Sequence, residues 1–66
     1  MRDYRRINPM MHLVGVLWLV YPDLRFGQLI DFIQVKAKQA NLDPFNMEDD
    51  EMKDFIKKLT ANSGIL

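Results

Sequence analysis

The side chains in this 66-residue chain with the most obvious capacity for chemistry are the four consecutive acids Glu48, Asp49, Asp50 and Glu51, followed by Asp54. From Asp43 to Asp54 there are six carboxylates and one lysine, a local net charge of −5. Oxygen ligands suit hard cations such as calcium and magnesium. Consecutive residues point in different directions around a helix, however, and the run lacks the glycine turn and spaced ligands of a calcium loop. No metal is expected. Acids at the start of a helix complement its dipole, and Glu48 with Glu51 has the spacing of a capping box. The same carboxylates could also imitate a nucleic-acid backbone and compete for a basic groove.

Catalysis has less to stand on. The chain has one histidine, His12, and no cysteine. It carries no Gly-rich phosphate loop and no nucleophile elbow. The reading is therefore a protein that is not an enzyme and uses no cofactor. Arg2, Arg5 and Arg6 against Asp3 make a basic arm of net charge +2 over residues 1–7. With Arg25 they could touch phosphates, but so small a charge is ordinarily a solvated chain end.

Three helices must position these groups. Asn8-Pro9 reads as a helix start, because Asn can cap a backbone N–H and Pro is preorganised for the first helical position. Pro22 disfavours the α region for the residue before it, so that helix should end near Tyr21. Phe26, Leu29, Ile30, Ile33, Ala37 and Ala40 then form the core stripe of a second helix, closed at Asn41, a residue that tolerates left-handed backbone. Gly27 in its first turn asks for a packing reason, such as close approach of the first helix. Asp43-Pro44-Phe45-Asn46 is a turn, with Phe45 expected to pin the loop to the core. Met52, Phe55, Ile56 and Leu59 mark the third helix, in which Asp54 and Lys58 have ion-pair spacing. The expected fold is all-α: one three-helix domain over 1–66, with helices near 9–21, 25–40 and 49–60 and a tail over 61–66. The β-branched content of residues 13–21 makes a strand the alternative there.

The first helix is the most informative element. Met10, Met11, Leu13, Val14, Leu17, Trp18 and Tyr21 cover one broad face, read as the core. His12, Gly15, Val16, Leu19 and Val20 lie opposite, where a surface helix would carry charge. A helix apolar all round is normally covered on both sides. Gly15 would admit a second backbone, and an antiparallel pair of copies, a homodimer, is the simplest cover because a two-fold contact uses one patch twice. The hinge or tail of the same chain is the other candidate. Phe32 and Val35 lie off the second helix's stripe and add to the surplus; Phe32 belongs either to the core edge or to the partner surface.

PDLRFGQLI at 22–30, Asp43-Pro44-Phe45, the acids at 48–51, Arg6-Ile7 and Trp18 together resemble a pattern of short bacterial and phage proteins related to the YihD-like group. The resemblance spans nearly the whole chain. It implies a small helical protein of phage or prophage origin and carries no activity. This chain departs from the group on the outer face of the first helix, where polar residues are usual.

Nine basic and nine acidic residues cancel, so no global field steers the chain to nucleic acid or an anionic membrane. The apolar run from Leu13 to Tyr21 is short of the roughly 20 residues needed to span a bilayer. The expectation is a soluble cytoplasmic interaction module that binds itself, another protein or both, such as an inhibitor or regulator of a host or defence component. A dimeric nucleic-acid-binding regulator and an acidic nucleic-acid mimic are the alternatives.

Overall fold

The computed structural model describes residues 3–62. A 3₁₀ turn, Tyr4–Arg6, leads into α1, Ile7–Val20; α2 is Phe26–Gln39 and α3 is Asp49–Ala61. No strand occurs among the described residues, and residues 13–20 are helical. Arg2 of the basic arm and most of the expected tail, residues 63–66, lie outside the described residues.

The start of α1 differs from the expected one. Asp3 Oδ1 accepts from the Arg5 backbone N–H at 2.9 Å and so caps the 3₁₀ turn, which the Arg6 N–H closes on the Asp3 carbonyl at 3.3 Å, and the chain enters α1 with Arg6 at the N-cap. Asn8 is consequently the second helical residue and not the cap. Pro9 is the third, where its missing N–H falls among the first four that have no intrahelical acceptor, so the helix tolerates it.

At the other end, Tyr21 stops α1 as expected. Its N–H donates to the Trp18 carbonyl at 3.0 Å, and the Leu24 N–H donates to the Tyr21 carbonyl at 3.2 Å. Pro22 and Asp23 form the middle of that turn, where the fixed φ of proline is preorganised. Trp18 Nε1 donates to the Leu24 carbonyl at 2.7 Å. Two aromatic contacts line the same seam: Trp18 with Phe26 at 5.7 Å and Tyr21 with Phe32 at 5.1 Å between ring centroids. At the start of α2, Gln28 Oε1 accepts from the Arg25 backbone N–H at 2.8 Å. An arginine side chain has no acceptor to complete a reciprocal box.

The end of α2 matches its sequence signature. Asn41 has φ 63°. Its N–H donates to the Lys38 carbonyl at 3.0 Å and that of Leu42 reaches the Ala37 carbonyl at 2.9 Å. These two bonds make a Schellman closure, which satisfies carbonyls the helix leaves open.

The core follows from one stripe per helix. Val14 and Leu17 of α1, Leu29, Ile33 and Ala37 of α2, and Ile56 with Thr60 of α3 are buried. Burial of an aliphatic side chain such as Leu17, Leu29 or Ile56 contributes about 1.5–3 kcal/mol. Thr60, unremarked in the sequence, is the polar member; its hydroxyl donates to the Ile56 carbonyl at 3.0 Å, so it enters the core without an unmet donor. The helices α1 and α3 approach each other most closely.

Several expected core positions are not core. Met11 is 48 % exposed and Phe26 52 %, and Ala40, the C-cap of α2, is exposed. Phe45 does not pin its loop: it is 92 % exposed. Its turn is organised by Asp43 instead, which accepts from the Phe45 N–H at 3.1 Å and from Asn46 Nδ2 at 2.6 Å. Gly27 meets no close neighbour, since a Cβ built there has nothing within 4 Å. Close approach of α1 is therefore not the reason for it.

Candidate functional site

At 3.6 residues per turn, Ile7, Trp18, Met11, Gly15, Leu19 and His12 fall within one arc of roughly 140° on α1, with Gly15 near its middle. Ile7 is 49 % exposed and Leu19 78 %, and His12 is exposed. Gly15 is half-buried, yet a Cβ built on it meets nothing within 4 Å. It opens a shallow recess of about 250 Å³ lined by Gly15, Trp18, Leu19 and Pro22. Knob and recess thus stand side by side on one helix.

Not all of the outer face expected from the sequence is open. Val16 and Val20 are half-buried, and Val16 and Leu13 share a depression with Lys57, Thr60 and Ala61 at the end of α3. The exposed arc is rotated accordingly, away from Val16 and Val20 and toward Ile7 and Met11. Thr60 and Ala61 are the small residues of α3 that meet that side. Phe32 is half-buried, with the Tyr21 ring on one side and Lys36 Nζ 5.7 Å from its centroid.

The acidic run is not a bare anionic patch. Asp49 is ion-paired with Arg6, so the start of α3 is tied to the turn before α1. Asp50 lies 3.6 Å from Lys53. Asp3, Arg6, Glu48, Asp49, Asp50 and Lys53 line one shallow surface in which two cations stand among four acids. Glu51 and Asp54 are exposed. The capping box expected of Glu48 and Glu51 does not form: Glu48 stands at the N-cap of α3 without a side-chain cap hydrogen bond. The ion pair of α3 is Asp50 with Lys53 and not Asp54 with Lys58, among the described residues. Among the same residues, no group of three His, Asp or Glu side chains converges as a metal site would require.

Arg5 is also engaged. Its Nε and backbone N–H both reach Asp3, with Nη2 at 3.0 Å from the second carboxylate oxygen. The hydrogen bonds from Arg5 hold the Asp3 carboxyl below its ordinary value of 3.8. The basic arm is therefore, in its described part, a set of internally paired charges.

No family model, curated protein or solved structure matches the chain. What the site can do rests on its own geometry. No helix among the described residues is long and apolar enough to cross a membrane.

Proposed function

We propose that this chain is a small protein-binding module whose docking face is the arc of α1 centred on Gly15. The observation that carries the reading is the cluster of large apolar side chains on that arc, Ile7, Met11 and Leu19, each about half-exposed or more. Phe26, in contact with Trp18, extends it onto α2. A contiguous apolar patch of this kind marks an interaction surface more often than an idle one. In the phage or prophage setting that the YihD-like resemblance implies, such a module would act as an inhibitor or regulator of a host or defence protein.

Direct nucleic-acid binding is the weaker reading, because Arg5 and Arg6 already neutralise Asp3 and Asp49. Mimicry of nucleic acid is weakened in the same way, since Arg6 and Lys53 interrupt the acidic run.

The test is a pair of measurements on the native chain: sedimentation equilibrium over a wide concentration range and titration with a hydrophobic dye. The reading expects either self-association or dye binding, and expects Leu19→Glu to abolish whichever is found. A wild-type chain that neither associates nor binds dye removes it.

A further inference from the structure

From the reading of α1 as a docking face, and resting on it, we infer that the occupant is a second copy of this chain, lying antiparallel with the two-fold axis at Gly15. Three observations carry the step from a sticky face to this particular occupant.

The first is self-complementarity about one position. Met11 and Leu19 stand four residues on either side of Gly15, both well exposed. A two-fold axis through Gly15 carries Met11 of one copy onto the partner's Leu19, and repeats the contact on the other side. An isologous interface requires this kind of pairing, residue i on j and j on i. The glycine at the centre has free space above it, so the two backbones can approach where the axis demands it. Met11, set opposite the partner's Leu19, then lies over the recess that Gly15, Trp18, Leu19 and Pro22 line.

The second is charge. Arg5 and Arg6 before α1 are paired with Asp3 and Asp49, and Asp23 beyond its far end is followed by Arg25, so what distinguishes the two ends is the helix dipole. The C-terminal carbonyls of a helix carry partial negative charge and its N-terminal N–H groups partial positive charge. Antiparallel pairing sets the N-terminus of each α1 beside the C-terminus of the other. Parallel pairing would set like ends of the two dipoles together.

The third is size. Ile7, Met11, Leu19 and Phe26 with the Gly15 recess form a patch on the order of a few hundred Å², and doubling it approaches the ~1,000 Å² at which specific association begins. The interface is then small, and the dimer should be in exchange with monomer.

The chain has no cysteine, so introduced thiols report without background. Met11→Cys and Leu19→Cys are made separately and oxidised singly and as a mixture, alongside sedimentation equilibrium of the wild type and of Leu19→Glu. The expected results are a concentration-dependent rise toward twice the 7.8 kDa chain mass, association weakened at least about tenfold in Leu19→Glu, and a disulfide-linked heterodimer from the mixture in excess of either homodimer. Helical circular dichroism confirms that Leu19→Glu folds. Three results overturn the inference: a monomer at every concentration, a dimer indifferent to Leu19→Glu, or single variants that cross-link to themselves better than to each other, which is the parallel signature. A monomer that still binds the dye through Leu19 overturns the second copy alone and leaves the docking face; a monomer that binds no dye removes both.

Discussion

Trp18 Nε1 donates to the Leu24 carbonyl oxygen at 2.7 Å, which ties the last turn of α1 to the residue two before α2. The bond is part-buried, so the carbonyl has limited access to water if the indole is removed. Trp18→Phe keeps an aromatic ring beside Phe26 and deletes the donor. It should cost about 1–2 kcal/mol, the penalty for a hydrogen bond lost with its acceptor left behind. A urea titration followed by far-ultraviolet circular dichroism checks it; an unmoved midpoint would mean the tie contributes nothing.

Gly27 should improve when replaced. It lies in the first turn of α2, and the space around a built Cβ is open. Gly27→Ala is expected to stabilise by about 0.5–1 kcal/mol through a smaller loss of backbone entropy on folding. A lower melting temperature would reveal a constraint that the open surroundings do not show.

Leu17 and Phe45 are opposite cases of a large apolar residue. Leu17 is fully buried among the three helices. Leu17→Ala should cost about 2–5 kcal/mol and leave so small a domain largely unfolded at room temperature. Phe45→Ala should change stability by no more than about 0.5 kcal/mol, because nothing covers its ring. Parallel thermal melts decide both.

Asp3 titrates with a definite sign. Its folded carboxyl is held below 3.8 by hydrogen bonds from Arg5. A depressed carboxylate contributes stability above its unfolded value and loses it as pH falls through the folded one. The contribution is therefore present at neutral pH and disappears only in acid. Side-chain carboxyl NMR should place the Asp3 midpoint below 3.8, and Arg5→Ala should return it toward that value.

Local signals gave the helices; distant ones gave the corrections. Pro22 and Asn41 act through their own backbone preferences, which is why the ends of α1 and α2 were readable at Tyr21 and Asn41. Asn8 was misread because Asp3 starts a 3₁₀ turn upstream and moves the cap to Arg6. Phe45 was misread because an apolar residue type does not require burial: much of any folded surface is apolar. The pairing of Arg6 with Asp49 joins residues 43 positions apart, and no local pattern announces it. On α1 the sequence marked the helix as apolar all round, and left open which arc α3 would cover. That depended on how closely Thr60 and Ala61 let it approach, a tertiary fact.

The closest partner of α1 is α3, with α2 lying between them in the chain. From Val20 to Ala61 is 41 residues, and at a synthesis rate of about 5–20 residues per second the first helix waits roughly 2–8 s for the third. During that interval Leu29 and Ile33 of α2 are available to Val14 and Leu17, but the side of α1 with Leu13 and Val16 that meets α3 stays open beside the Met11–Leu19 arc. Until α3 has docked, α1 therefore has two open apolar sides and not one, and the arrival of Thr60 and Ala61 closes the second.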